Sequence, residues 1–128
     1  MKDYNLTLKE EWNCIGDFEE KSGYEIVKRL IHMKSLPEVI CAANDEMAIG
    51  AIKALQEKGI RVPEDIGVIG FDDIPMAEYI NPKLTTIRRP TYDLGVLATH
   101  TLFNNIKGNL GGISKKLSTE FIIRESLL

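Results

Sequence analysis

The stretch that decides the fold is Val39-Ile-Cys-Ala-Ala-Asn-Asp-Glu-Met-Ala-Ile-Gly50. Its first half is apolar without alternation, which is typical of a parallel strand covered on both faces. The polar pair Asn44-Asp45 follows, and a helical apolar stripe comes next, at Ala48, Ala51, Ile52 and Leu55. Asp45 suits the start of a helix and Gly59 suits its end. Asn44 is therefore expected at the carboxyl end of a strand, where open parallel sheets bind ligands.

The rest of the chain repeats this alternation of strands and helices. Apolar or β-rich runs predict strands at residues 12–18, 39–43, 66–71 and 84–87, and the alternation of Leu117, Thr119, Phe121 and Ile123 predicts a last, half-buried strand. Helices are predicted to begin at a Ser22–Glu25 capping box, to span residues 45–58, and to run from near Thr91 to Gly108, with a helical turn within residues 74–80. This order predicts an α/β fold, three-layered and doubly wound around a mostly parallel sheet.

The third long helix carries apolar residues on two sides. One stripe consists of Leu94, Leu97, Ala98, Thr101, Leu102 and Ile106, whereas Val96 and Phe103 lie on a different side. A helix with two apolar faces is covered twice. We therefore expect its own sheet to cover one face and another structure to cover the other.

The composition indicates one ordinary soluble globular domain. The 128 residues are 44% hydrophobic and 27% charged, and the net charge of −3 argues against a grip on nucleic acid by this chain alone. No stretch is long and apolar enough to cross a bilayer, and no basic-then-apolar leader is present. We expect a cytoplasmic protein without a membrane partner.

The cysteines and histidines give no sign of a metal site. Cys14 and Cys41 fall in strand-like runs, so we expect two small core residues in a reduced cytosol and no disulfide. His32 and His100 lack Cys, His or carboxylate neighbours at ligand spacing, which indicates helix-surface residues. We expect neither a metal nor a cofactor.

Three predicted strands end on residues that would meet at one edge of a parallel sheet: Asp17-Phe18, Asn44-Asp45 and Asp72-Asp73. Carboxylates and amides make several hydrogen bonds to hydroxyl or amino groups, and an aromatic ring can lie on a sugar or a base. We therefore expect Asn44 and Asp72 to contact a small polyhydroxylated or heterocyclic ligand, and Asp45 and Asp73 to cap helices. For Phe18 the pattern leaves ligand contact and core packing equally open.

Nothing in the sequence indicates catalysis. Gly67 and Gly70 lie inside a predicted strand, so they do not form a dinucleotide fingerprint. An Asp-Asp pair at a strand end also occurs in phosphate-handling α/β enzymes, but these would need a Lys and a Ser or Thr at neighbouring strand ends, and no such set is present. Such an enzyme is the least favoured alternative.

Several motifs occur together in a specific order. Residues 43–51 read Ala-Asn-Asp-Glu-Met-Ala-Ile-Gly-Ala, residues 59–74 read Gly-Ile-Arg-Val-Pro-Glu-Asp-Ile-Gly-Val-Ile-Gly-Phe-Asp-Asp-Ile, and residues 82–87 read Pro-Lys-Leu-Thr-Thr-Ile. Gly16-Asp-Phe18, Ser22-Gly-Tyr24, Leu94-Gly95 and Arg124-Glu-Ser126 fit the same pattern. Over essentially its whole length the chain resembles the lactose/galactose repressor family of bacterial transcription regulators.

The resemblance implies a lobe similar to periplasmic sugar-binding proteins. Residues 1–128 would be a partial effector-binding domain, mainly its C-terminal lobe, without the DNA-binding domain and most of the N-terminal lobe. The effector, a sugar or related small molecule, would be stacked by Phe18, hydrogen-bonded by Asn44 and Asp72, and contacted by Arg89 at the lobe crossing.

The resemblance also implies a homodimer. It places Met76, Tyr79 and Ile80 near the dimer contact, although a solvated surface turn fits these residues equally well. Operator DNA would be bound only through the absent N-terminal domain.

Two consequences and one further alternative follow. The chain supplies one wall of a two-walled site, so we expect weak effector binding, and its third helix lacks a cover, so we expect self-association. The alternative to a regulator is a lobe of a periplasmic-type sugar-binding protein.

Overall fold

The computed structural model describes residues 8–108 and 114–127. Within these ranges, helices and short strands alternate as follows: α1 (Glu20–Leu30), β1 (Val39–Cys41), α2 (Asp45–Glu57), β2 (Gly67–Ile69), β3 (Thr86–Arg88), α3 (Thr91–Ile106) and β4 (Glu120–Ile122). Short 3-10 turns occupy Glu10–Trp12 and Pro75–Glu78. The α/β class predicted from the sequence is confirmed.

The strands pair in parallel near the proposed ligand edge. β1 is parallel to β2, with Val39 opposite Gly67, and β3 is antiparallel to β4, with Thr86 opposite Ile122. A parallel bridge between Ile69 and Thr85 links β2 to the chain that enters β3. The carboxyl ends of β1, β2 and β3 therefore point in the same direction, as the sequence predicted.

The core lies between the first two helices and the sheet. The α2 stripe predicted from the sequence is buried, because Ala48, Ala51, Ile52 and Leu55 are all at most 3% exposed. Each fully buried aliphatic side chain of Leu or Ile size stabilises the fold by about 1.5–3 kcal/mol. Gly50 lets α1 approach closely, because a Cβ there would collide with the backbone of Glu20 and Tyr24.

The first strand predicted from the sequence is absent. Residues 13–18 form no strand, and Ile15 is 94% exposed, because no described segment pairs with them. The predicted capping box is also wrong. α1 begins at Glu20, and the Ser22 hydroxyl donates to the carbonyl oxygen of Glu19 and accepts from the amide of Asp17.

The helix α3 is uncovered on both predicted faces. None of its residues is buried, and the exposed large apolar residues are Tyr92, Leu94, Val96, Leu102, Phe103 and Ile106. The expected cover from its own sheet is therefore wrong for the part of the chain that the structure describes. The predicted inner face of the last strand is also wrong, since Phe121 is 48% and Ile123 70% exposed.

The two cysteines lie at the surface and not in the core. Cys14 follows the first 3-10 turn and Cys41 ends β1, and both are exposed free thiols. The core prediction failed because it rested on the strand-like runs, whose predicted two-sided cover is missing here. His32 and His100 are exposed, in agreement with the surface positions expected for them.

Candidate ligand site

Asn44 joins the end of β1 to two other segments. It is the N-cap of α2, where its Oδ1 accepts a hydrogen bond of 3.0 Å from the amide of Met47. Its Nδ2 donates a hydrogen bond of 2.8 Å to the carbonyl oxygen of Phe18. The cap expected at Asp45 is thus provided by Asn44, whose side chain also fixes the turn that carries Phe18.

Phe18 lies on that turn with its side chain in solvent. Its φ is +71°, in the left-handed region that a bulky residue rarely adopts, and the residue is 63% exposed. Such a conformation costs about 1–3 kcal/mol and persists only where the surroundings impose it. Of the two possibilities that the sequence left open, core packing is excluded by this exposure.

Asp72 follows β2 and forms an ion pair with Arg89. Asp72 Oδ1 lies 2.5 Å from Arg89 Nε, and the amide of Asp72 donates to the carbonyl oxygen of Ile87 at 2.9 Å. The Asp72 side chain is 23% exposed and the Arg89 side chain 43%. The Arg89 guanidinium is 5.9 Å from the ring centre of Phe71, which limits its freedom. Asp72 has a φ of +123°, again in the left-handed region.

One backbone hydrogen bond and two side-chain contacts hold these residues at one edge. The amide of Asp45 donates to the carbonyl oxygen of Phe71 at 2.9 Å, which holds the end of β1 beside the end of β2. Asn44 then brings in Phe18, and Asp72 brings in Arg89. The four residues predicted from the sequence therefore sit at the same sheet edge, on two turns and two strand ends.

Asp45 is a buried cross-link and not a helix cap. It is 0% exposed, and its carboxylate oxygens accept hydrogen bonds from the Thr86 hydroxyl at 2.5 Å and from the amide of Ile74 at 2.8 Å. It therefore ties α2 to β3 and to the turn that follows Asp73. Pattern reasoning missed this role because both partners lie far away along the chain.

Asp73 also serves as an ion-pair partner and not as a cap. Its carboxylate is 2.6 Å from Arg88 Nε and 2.8 Å from Arg124 Nη2, and its side chain is 8% exposed. Burial alone would raise the pKa of Asp73, but hydrogen bonds and charge from Arg88 and Arg124 outweigh it and hold that pKa below its ordinary value. The 3-10 turn that follows is capped by no side chain.

The residues predicted at the dimer contact lie in the 3-10 turn Pro75–Glu78 and directly after it. Met76 and Tyr79 are 53% and 80% exposed, whereas Ile80 is partly buried and packs against the core. A surface depression of about 540 Å³ borders Tyr79 and is also lined by Glu78, Lys83, Arg124 and Glu125. Another, of about 480 Å³, lies between α1 and α2. Phe18, Asn44, Asp72 and Arg89 line neither of these two depressions.

Ser126 is a second buried polar residue whose structural role the sequence analysis did not predict. Ser126 is 0% exposed, and its hydroxyl donates to the carbonyl oxygen of Val68 at 2.6 Å while accepting from the amide of Thr85 at 2.8 Å. The motif Arg124-Glu-Ser126 was the signal that could have found it. Together with Arg124 it holds the end of the chain against β2 and β3.

Neither a metal-binding cluster nor a membrane-spanning helix occurs in the described ranges. No group of three or more His, Cys, Asp or Glu side chains in residues 8–108 and 114–127 could hold a metal ion. None of the helices there combines the length and apolarity that crossing a membrane requires.

An α/β lobe with polar and aromatic residues at the carboxyl edge of its parallel strands defines a class of ligand-binding domains. The sequence profile of the periplasmic binding protein-like domain matches residues 1–127. The chain belongs to this family, in the form found in lactose/galactose-type repressors.

Two curated relatives are repressors by name. The chain is 38% identical over 125 residues to the probable HTH-type transcriptional repressor ExuR of Bacillus subtilis, covering 97% of this chain and 38% of that protein. It is 44% identical over 106 residues to the HTH-type transcriptional repressor PurR of Photorhabdus laumondii, covering 83% of this chain and 31% of that one. The chain thus spans less than two fifths of the length of these relatives.

Solved structures of regulators share the fold. The lac repressor dimer bound to operator and the anti-inducer ONPF is 31% identical with a TM-score of 0.83, over 88% of this chain and 40% of that one. A LacI family transcriptional regulator from Enterococcus faecium with bound ribose is 36% identical with a TM-score of 0.77, over 88% and 41%.

Proposed function

We propose that the chain is the effector-sensing part of a sugar-responsive transcription regulator. The observation that carries the proposal is the placement of Phe18, Asn44 and Asp72 on one sheet edge. Two of the three, Phe18 and Asp72, have a left-handed backbone. Strained residues persist where the structure imposes them, and they concentrate at ligand sites. The relatives are repressors by name, which favours a regulator over a free-standing sugar-binding protein and over an enzyme.

Each proposed contact has hydrogen-bonding capacity left for a ligand. The amide of Asn44 uses one N–H and one oxygen lone pair internally, so a second of each remains available. Asp72 uses Oδ1 for Arg89, and no described residue bonds its Oδ2. The exposed ring of Phe18 offers an apolar face to the C–H groups of a sugar. Arg89 would contact the ligand from beside Asp72.

The proposed site has only one wall in this chain. Phe18 is 63% exposed and the Arg89 side chain 43%, and the chain spans less than two fifths of the length of its curated relatives. Residues 1–128 would be a partial effector-binding domain, mainly the C-terminal lobe. Effector binding to this chain alone is therefore expected to be weak, since ligands gain affinity from burial on most of their surface.

The proposed partners follow from the same assignment. A homodimer would form through the surface that carries Met76, Tyr79 and Ile80. Operator DNA would be contacted by parts of the regulator outside this chain, which agrees with the net charge of −3. Ligand binding would change DNA affinity by shifting the balance between lobe arrangements. We propose that this happens in the cytoplasm and that the ligand is not chemically converted.

A titration followed by NMR tests this proposal. A panel of monosaccharides that includes D-ribose is added to the 15N-labelled chain. We expect shifts of the amide signals of Phe18, Asn44 and Asp72, growing with concentration without reaching saturation. Phe18→Ala should abolish them. Tyr79→Ala, which removes another exposed aromatic ring away from the edge, should not abolish them. Shifts located elsewhere, or none with any sugar, would refute the assignment of this edge.

A further inference from the structure

The turn that carries Asp72 is held from behind by a charged cluster. Asp72 and Asp73 are consecutive and have φ values of +123° and +58°. Two successive left-handed residues other than glycine need outside support. The backbone amide of Asp72 donates a hydrogen bond to the carbonyl oxygen of Ile87, and the carboxylate of Asp73 pairs with Arg88 and Arg124. The Asp72 carboxylate itself pairs with Arg89, and the backbone that carries it adjoins the anchored Asp73.

Arg124 is the more enclosed of the two anchors. Its side chain is 10% exposed, against 47% for Arg88. Arg88 also pairs with Glu120 at 3.2 Å, on β4, so it is shared with an exposed carboxylate. Arg88 makes the shorter contact to Asp73, but an enclosed guanidinium loses little of its attraction to solvent and salt, so the Arg124–Asp73 ion pair is the less screened of the two.

The Arg124 guanidinium contacts three different segments. Nη1 donates to the carbonyl oxygen of Leu84 at 2.9 Å, and Nη2 lies 2.8 Å from Asp73 and 3.0 Å from Glu78 Oε1. Glu78 ends the 3-10 turn Pro75–Glu78, which carries Met76 and precedes Tyr79. One planar group thus joins the turn behind the proposed ligand contact to the surface proposed for dimerisation.

We propose that Arg124 is a positioning residue that couples Asp72 to the 76–80 surface through Asp73 and Glu78. This rests on the proposed ligand edge and adds a route from it to the partner. A ligand that moves the Asp72 carboxylate shifts Asp73, and the shared guanidinium passes the change on to Glu78. Lysine cannot replace arginine here, because one ammonium lacks the fork that reaches several acceptors.

The coupling is tested without a ligand, by a double-mutant comparison of amide NMR spectra. Glu78→Gln changes an exposed side chain, and we expect it to move the signals of Asp72 and Asp73. Glu64→Gln, a second exposed carboxylate with no ion pair among the described residues, should leave both signals in place. In an Arg124→Lys background, which keeps the charge, the response to Glu78→Gln should disappear.

Two results would overturn the inference. One is unchanged Asp72 and Asp73 signals in Glu78→Gln. The other is the same response with and without Arg124, which would mean that the turn moves by some other contact. If the Arg124→Lys chain does not fold, Asp73→Asn serves as the second background. It removes the other end of the same link and should also abolish the response of these amide signals to Glu78→Gln.

A second arm uses D-ribose, or whichever sugar of the panel moves the edge signals most. With Arg124→Lys, we expect a several-fold smaller shift of the Asp72 signal at a given sugar concentration, and no accompanying shift at Tyr79. If the sugar acts equally on both variants, the coupling fails while the proposed site stands. If no sugar acts on the wild-type chain, the proposed function fails, and the ligand-free comparison still decides whether the link exists.

Discussion

At the scale of single residues, the backbone of Phe18 is the clearest sign of function. An aromatic ring that is 63% exposed adds little to the core, and a φ of +71° costs free energy. The fold retains both features, although a glycine would satisfy the same turn more easily. These two features support the proposal that the Phe18 ring contacts a ligand.

The first prediction separates the strain at Phe18 from its ring. Phe18→Gly and Phe18→Ala both remove the ring, but only glycine tolerates the left-handed backbone. We expect the glycine variant to be more stable than the alanine variant by about 1 kcal/mol, measured as the free energy of unfolding in urea. Both should lose the NMR response to sugar. Equal stability of the two variants would contradict the strained turn.

The second prediction concerns the pH dependence of stability. The pKa of Asp73 is lower in the folded chain than its ordinary value of 3.8. The unfolded chain therefore binds more protons at low pH, so stability falls as pH drops from 3.8 through the folded pKa, and is fully present above 3.8. Urea unfolding at a series of pH values should show this slope, and Asp73→Asn should flatten it.

Asp65 provides the matched control for this measurement. Its pKa is lowered to about 2 by Arg61, but the pair lies at the surface, where the Arg61 and Asp65 side chains are 68% and 39% exposed. Salt screens exposed pairs far more than enclosed ones. High salt should therefore erase the effect of Asp65→Asn and leave that of Asp73→Asn. If salt erases both, Asp73 is not enclosed as the structure describes.

At the scale of elements, local signals explain which sequence predictions succeeded. The sequence predicts α2 at residues 45–58, and the helix spans Asp45–Glu57. The prediction succeeded because its apolar stripe, its polar start and the left-handed Gly59 that follows are all local sequence features. The strand predicted at residues 12–18 is absent, since a strand needs a neighbour that local sequence does not supply. The edge position of Asn44 and Asp72 was predictable because strand ends gather there. The Asp73–Arg124 contact was not, because it joins distant segments.

The third prediction tests how α2 is tied to the Phe18 turn. Asn44→Ala removes both the cap and the bond to Phe18, and should cost about 1 kcal/mol or more in urea unfolding. Asn44→Asp keeps an acceptor for the amide of Met47 but cannot donate to the carbonyl oxygen of Phe18. It should therefore stay close to wild-type stability while the Phe18 amide signal shifts. An aspartate variant as unstable as the alanine variant would mean that the donated bond, and not the cap, stabilises the helix.

At the scale of the whole molecule, the exposed apolar residues of the described ranges include two groups that matter for assembly. One is α3, none of whose residues is buried and whose only acidic residue is Asp93. Phe121 and Ile123, in and just after β4, are also exposed. The other is the turn with Met76 and Tyr79. Contiguous exposed apolar side chains often mark surfaces that another molecule covers. For the chain alone in solution, the available cover is a second copy.

The fourth prediction follows from having two such surfaces on one chain. If each pairs with its own counterpart in a different copy, every chain binds two others, and assemblies larger than a dimer form. Light scattering at high concentration should show them. Replacing Leu102 and Phe103 on α3 by Glu should leave a dimer held by the turn. Replacing Met76 and Tyr79 by Glu should leave a dimer held by α3, and all four changes should give a monomer. A monomeric wild-type chain would reject self-association. If replacing one of the two pairs alone already gives a monomer, the chain associates through the surface that carries that pair.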